Sequence, residues 1–352
     1  MIVKVARYSY PIAKIRASIS DLLDAREYAM LVYAQGLDAM VAALNTTAYA
    51  AALQSGTAAF TLAVSEWRRA KAERLVALLP KHARTVCQAF LSRFELDELK
   101  VILRAVASGT DRRKVLSMLR PLPAGSVLPI EKLVAAKTLE DAARVLAGTP
   151  YAGPVAKGLQ TAASETAGPD RAPASLMAVE LEIDRWFLSR LASASTIFSG
   201  HEGKIVRRLI GALIDVTNVL WTERLRRTFH FSPEETECRL CPAGFYFATA
   251  KQTAMLAQWS GEGQPPLLGL EQAGSSLRLS MMRMLAREAR RPLFAPPFQA
   301  GVPLSYLILG QLEIADLVAL HEGRRWGRDT TQLGDTMIRF YGASLAGGGE
   351  VA

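Results

Sequence analysis

The sequence is poor in the residues that most chemistries need. Of 352 residues, only four are histidine and three cysteine, and aromatics make up 7%. Three cysteines, an odd number, do not suggest the paired framework of a small secreted domain. No G-x-x-x-x-G-K-[ST] loop occurs, and no G-x-G-x-x-G follows a strand-like run, so phosphate binding by those routes is excluded. Gly203-Lys204 lacks both the upstream glycine and the following hydroxyl residue. No run approaches the ~18 uninterrupted apolar residues of a bilayer span. The most apolar window, Ile205 to Trp221, is interrupted by Arg207, Arg208 and Asp215. The N-terminus lacks a charged segment followed by an apolar core and a small-residue cleavage site. Instead Lys4, Arg7, Lys14 and Arg16 punctuate an amphipathic start, and the expectation is a soluble cytoplasmic protein without a transmembrane segment. Residue-by-residue alternation is also missing, and Gly244-Phe245-Tyr246-Phe247 alone hints at a strand.

The chain is instead rich in apolar residues at helical spacing. Half of all residues are hydrophobic, enough for a large core, and 21% are charged, so the chain is not of a disordered composition. Ile15, Ile19, Leu22 and Leu23 form one helical face; Leu96, Leu99, Ile102 and Leu103 another; Leu209, Leu213, Val216 and Leu220 a third. The fold class read from this is all-α. Breakers mark the joints: Pro121 to Pro129, Gly168-Pro169, Gly261 to Pro266, and Pro292 to Pro303, the last expected to be extended or turn-like. The tail around Gly347-Gly348-Gly349 is expected to fray.

Two patterns recur within this helical background. The first is acid, any, any, acid or amide, aliphatic. It occurs as Glu95 with Glu98, as Asp215 with Asn218, and as Glu313 with Asp316, each in an apolar helical stretch. Residues three apart share a helix face, so each pair could bind a metal or perform acid–base chemistry. A helical di-metal site would add a histidine three residues beyond a glutamate, and none stands there. The reading adopted is structural: each pair ties its helix to a neighbouring loop, or to Arg104 and Arg224 nearby. The second pattern is Leu44-x-x-Thr47-x-Tyr49, repeated as Leu146-x-x-Thr149-x-Tyr151 and degenerate at Leu256-x-x-Trp259-x-Gly261. The threonine is expected to cap the following helix. The tyrosine is expected to lay its ring on the core and keep its hydroxyl in water.

Cys238-x-x-Cys241 is half of a zinc site or a redox pair. Neither Cys87 nor His230 supplies a second pair, so two free thiols are expected, with Cys238 and Cys241 as weak metal candidates and no cofactor. The net charge is +9. From Lys204 to Thr228 six Lys/Arg stand against two Asp/Glu, and Arg207, Arg208, Arg224 and Arg227 are the candidates for a basic partner-facing surface. No nucleic-acid reading motif accompanies them. On residues alone, an unrelated basic helical-repeat scaffold that binds nucleic acid stays open, as does an all-α enzyme using an acidic pair or the two cysteines with a metal.

These patterns, in this order, resemble the C-type stalk component of V-type and A-type rotary ATPases, called d in the eukaryotic enzyme. Tyr10-Pro-Ile-Ala-Lys14-Ile-Arg16-Ala17 resembles the family's opening, and Phe94 to Ala105 its first acidic helix. Gln311 to Gly327 resembles its last repeat. Residues from about Thr228 to Gln272, with the C-x-x-C, match least. The resemblance implies a non-catalytic funnel of three similar helical units with pseudo-threefold symmetry. The units would be 1–120, 121–228 and 229–346, with closing helices exchanged between them and 347–352 as a flexible tail. The implied partners are the rotor shaft and the membrane proteolipid ring, the implied location is the cytoplasmic face of the membrane, and no nucleic acid is expected.

Overall fold

The computed structural model describes residues 2–54, 60–123, 125–165, 171–266, 268, 276–294 and 299–340. Among them are seventeen α-helices, one short 3-10 helix and no strand. Four helices are long: α6 (Lys81–Ser108), α11 (Arg171–Ser195), α12 (Gly200–Arg227) and α16 (Gly301–Arg325). They touch in a closed cycle, α6 on α11, α11 on α12, α12 on α16 and α16 back on α6. The main apolar core runs along this cycle, with Leu99, Leu103, Ile183, Leu191, Leu209, Ile214 and Leu304 at its centre.

A second core lies beside it. Tyr28, Leu31 and Val32 of α2 (Ala25–Tyr33), Met40 and Leu44 of α3 (Leu37–Leu44), and Val64 of α5 (Phe60–Ala77) pack on Leu317 and Leu320 of α16 and Leu333 of α17 (Thr330–Thr336). The beginning and the end of the described chain therefore build one body. Short helices start on local side-chain caps: Asp24 with Glu27, Thr138 with Asp141, Thr249 with Gln252 and Asp329 with Gln332 each form a reciprocal capping box.

The proline breakers behave differently from one another. Residues 119–123 and 125–129 are non-helical, between α7 (Arg112–Met118) and α8 (Ile130–Val134). The stretch from Pro292 to Pro303, expected to be extended, is partly helical. Pro292 lies in the 3-10 turn Arg291–Phe294 that continues α15 (Leu277–Arg290), and Pro303 sits in the first turn of α16. A first-turn residue has no intrahelical acceptor for its N–H, so proline is tolerated there. Gly168-Pro169 and the tail at 347–352 lie outside the described residues. The Gly244–Phe247 segment is a bent loop, not a strand.

Among the described residues one helix, α16, is long and apolar enough to cross a bilayer by length and composition, and 72% of its most apolar window is buried inside the chain. It is more apolar than α12, which contains Ile205 to Trp221; Glu313 and Asp316 sit within it, fully buried.

The closest helix packing involves α10 (Ala152–Glu165) and α11. A Cβ added to Gly158 would stand 2.4 Å from Val179 Cα, so the two backbones meet where Gly158 has no side chain. A backbone cannot turn aside as a side chain does. Gly158→Val should therefore lower unfolding free energy by about 3 kcal/mol, read as a shift in urea midpoint with unchanged slope.

Candidate functional site

Each acidic pair sits on one of the long helices, and each faces inward. Glu95 and Glu98 are 8% and 2% exposed, Asp215 and Asn218 0% and 2%, Glu313 and Asp316 both 0%. A buried carboxylate must be given donors or it destabilises the fold. In all three places donors come from a loop that the chain makes after leaving that helix, in two of them also from tyrosines, and on α16 also from Leu23 and Arg68 earlier in the chain.

On α6, Glu98 accepts the Arg120 backbone N–H at 2.9 Å and its Nε at 2.5 Å. One turn earlier Glu95 accepts the Ser126 hydroxyl at 2.5 Å, the Val127 N–H at 3.0 Å and the Tyr151 hydroxyl at 2.6 Å. On α12, Asn218 exchanges two hydrogen bonds with the Cys241 backbone: its Nδ2 donates to the carbonyl at 2.8 Å and its Oδ1 accepts the N–H at 2.9 Å. Asp215 accepts three successive backbone N–H groups, from Phe245 at 2.8 Å, Tyr246 at 2.7 Å and Phe247 at 3.3 Å. The loop can wrap the carboxylate because Gly244 has no Cβ; one built there would lie 2.1 Å from Asp215 Oδ1. On α16, Asp316 accepts the Ile338 N–H at 2.7 Å, the Arg339 N–H at 3.0 Å and the Tyr28 hydroxyl at 2.8 Å. Glu313 accepts the Leu23 N–H and the Tyr49 hydroxyl, both at 2.7 Å, and ion-pairs with the buried Arg68 and Arg339.

Both complete Leu-Thr-Tyr turns end on a glutamate of this set. Thr47 donates to the Leu44 carbonyl at 2.7 Å and accepts the Tyr49 N–H at 3.2 Å; Thr149 does the same with Leu146 at 2.7 Å and Tyr151 at 3.3 Å. The threonine thus ties its own turn and caps no helix. The tyrosine hydroxyls are not in water: Tyr49 is 0% and Tyr151 2% exposed, and burial beside a carboxylate raises both phenols above their ordinary value. Arg104 and Arg224 do not serve the acidic pairs. Both bind Glu180 of α11, Arg224 at 3.4 Å.

Burial pushes the Asp215 carboxyl up to about 6 against the pull of its three N–H donors. Asp316 is likewise pushed up to about 6 by burial, opposed by the Ile338 and Arg339 N–H groups and the Tyr28 hydroxyl. The arrangement offers no nucleophile and no open acid–base pair, because the carboxylate oxygens are taken by donors of the fold. Among the described residues, no three His, Cys, Asp or Glu side chains converge as a metal site.

The family of the ATP synthase (C/AC39) subunit matches residues 11–334. The chain belongs to that family. It is similar to the C subunit of the A-type ATP synthase of Methanocaldococcus jannaschii, with 23% identity over 92% of this chain and 84% of the relative. The same protein of Pyrococcus horikoshii is 24% identical over 90% and 86%, and that of Methanothermobacter thermautotrophicus 22% over 90% and 84%. The chain is accordingly a non-catalytic stalk subunit of a V/A-type ATP synthase, part of a membrane complex.

The remaining sequence candidates fall elsewhere. Cys238 is exposed at the end of α13 (Pro233–Glu237) and Cys241 is buried, its backbone held by Asn218. Arg207 donates to the Phe198 carbonyl at 2.9 Å, and Arg208 forms a two-pronged bond to Glu288 at 2.6 and 3.1 Å. Arg224 stacks over Trp221, and Arg227 reaches Glu223 at 3.3 Å; Arg207, Arg224 and Arg227 stay exposed. Arg68, Arg339 and the two tyrosines are not legible from sequence as members of the set. The shared Leu-Thr-Tyr spacing is the only signal, and it points to a repeat, not to a partner.

Tyr151→Phe removes one donor from Glu95 and should cost about 2 kcal/mol of unfolding free energy. Tyr49→Phe should cost more, since that hydroxyl also accepts from Arg68 at 2.6 Å. Equal urea midpoints for both variants and the parent would contradict this.

The raised Asp215 carboxyl gives a pH signature. The folded chain takes up this proton near pH 6 and the unfolded chain only near 3.8, so ionisation weakens the fold above pH 6 and acid relieves that penalty. Asp215→Asn cannot titrate. Its deficit relative to the parent should grow by about 1 kcal/mol between pH 7.5 and pH 5, measured by urea unfolding at both pH values.

Proposed function

We propose that this stalk subunit is a socket: the rotor shaft docks into it on one side, and the membrane proteolipid ring holds it on the other. It lies peripherally on the cytoplasmic face of the membrane and turns with the ring. It carries torque between the ATP-handling head and proton or sodium movement. Its three units, 1–120, 121–228 and 229–346, are arranged with pseudo-threefold symmetry as a funnel.

The thrice-built carboxylate anchor carries this reading. Donors within 121–228, Ser126, Val127 and Tyr151, serve Glu95 in 1–120. Donors within 229–346, Cys241 and Phe245 to Phe247, serve Asn218 and Asp215 in 121–228. Donors within 1–120, Leu23, Tyr28 and Tyr49, serve Glu313 and Asp316 in 229–346. Each unit thus grips the next and the last grips the first, which is the connectivity a closed socket requires. Close-packed helices joined by buried polar ties resist shear, as torque transfer demands.

The exposed Arg207, Arg224 and Arg227 are proposed to face the ring, with Arg208 holding the same helix to Glu288 of α15. The tagged chain, co-expressed with shaft and ring subunits, should retain both on affinity purification. Replacing Arg207, Arg224 and Arg227 with Glu should lower ring recovery severalfold and leave shaft recovery intact. Undiminished ring recovery would remove this face from the ring contact. Failure to retain the shaft would overturn the socket.

A further inference from the structure

Helix α1 (Ile2–Ile19) carries a surface that the anchors and the helix cycle leave unused. Its inner side belongs to the fold: Tyr8, Ile12 and Ile15 are buried in the main core, and the helix packs on α5 and α16. Arg7, Tyr10 and Lys14 stand in one row along α1, Arg16 projects about half a turn round the helix from that row, and all four are exposed. Tyr10 is 61% exposed, with the Lys14 ammonium 5.9 Å from its ring centre. Arg16 reaches the Leu293 carbonyl at 3.5 Å, which sets the next residue, Phe294, 86% exposed, on the Arg16 flank of the helix.

The charge is of one sign. The first twenty residues contain Lys4, Arg7, Lys14 and Arg16 and no aspartate or glutamate. The first acid, Asp21, is ion-paired with Lys71. Two acids of neighbouring elements are engaged: Glu202 accepts the Ala300 N–H at 2.7 Å, and Glu288 holds Arg208 and Arg291. A protein partner would be met by a mixture of charges and acceptors. Exposed cations on both flanks of the helix, with Tyr10 on the one side and Phe294 on the other, suit a surface of uniform negative charge with an apolar layer beneath it.

We propose that the outer face of α1, with Phe294, rests on the anionic phosphate headgroups of the membrane beside the complex. Because the apolar side of α1 is buried in its own protein, the helix lies on the headgroups and does not insert. The cations bind phosphate, and Tyr10 and Phe294 dip into the interface. This rests on the reading of the chain as a peripheral protein at the membrane, but it is tested separately from the shaft and ring contacts.

The purified full-length chain is sedimented with vesicles of phosphatidylcholine containing phosphatidylglycerol, and with phosphatidylcholine alone. Binding is expected to the anionic vesicles only, and to weaken with salt. One cation near such a surface is worth about a factor of five, so the variant with Arg7, Lys14 and Arg16 all changed to Gln should bind about a hundredfold less. A control with Lys114, Lys132 and Lys251 changed to Gln has the same net charge and should bind nearly as the parent does. Phe294→Ala, which changes no charge, should also weaken binding. Circular dichroism melts establish that each variant is folded. Equal losses in the two triple variants would assign binding to net charge alone and overturn the proposal. So would absence of parent binding to anionic vesicles at low salt. Loss of ring recovery by the α1 variant without loss of vesicle binding would give the face to a protein partner, and also overturns it. None of these outcomes alters the test of the socket, which is retention of the shaft.

Discussion

A carboxylate inside an apolar helix core is tolerable only when its oxygens are met by donors. That constraint organises this molecule. It is imposed three times, on α6, α12 and α16, and each time it pulls an irregular segment of chain onto a long helix. Loop residues 120–123, 125–127, 241–247 and 338–339 have no strand or helix ladder to satisfy their N–H groups. The carboxylates and the amide do it for them, so helix and loop are satisfied together.

The three anchors solve the same problem with different chemistry. Asp215 relies on backbone N–H groups alone, which carry no formal charge, and its proton affinity rises. Glu95 adds two hydroxyls. Glu313 recruits two buried guanidinium groups, which bring full charge compensation but have to be desolvated themselves. Arg68 contributes further by reaching the Tyr49 and Tyr306 hydroxyls, and Arg339 by lying over the Tyr28 and Phe340 rings. The most elaborate anchor is the one that joins the two ends of the chain, where no covalent continuity helps.

Much of the architecture is legible in the sequence for physical reasons. Leu and Ala at 3.6-residue spacing leave no alternative to helix, and acids embedded in such runs cannot face water without turning the apolar stripe outward. The partners are not legible. Tyr49 lies 264 residues from Glu313, and a single aromatic at a turn carries no sign that a distant helix will arrive over its hydroxyl; water is the natural expectation. Arg68 and Arg339 are drawn from a chain with many arginines, and nothing local separates a buried one from a solvated one. Pro303 reads as a breaker unless the helix is known to start two residues before it. The family resemblance rests on the order of weak motifs, and order survives at 22–24% identity where single residues do not.

The body formed by α2 to α5 with α16 and α17 has a temporal consequence. Leu23, Tyr28 and Tyr49 leave the ribosome well before their acceptors on α16 and the Arg339 that completes them. The earliest segment must wait, with Leu31, Val32 and Met40 uncovered, while the helices between it and α16 are synthesised. Contacts of such sequence separation are slow to form, because loop entropy is lost before they stabilise anything. A lesion at Arg339 would therefore be felt at Leu23, because Glu313 holds both.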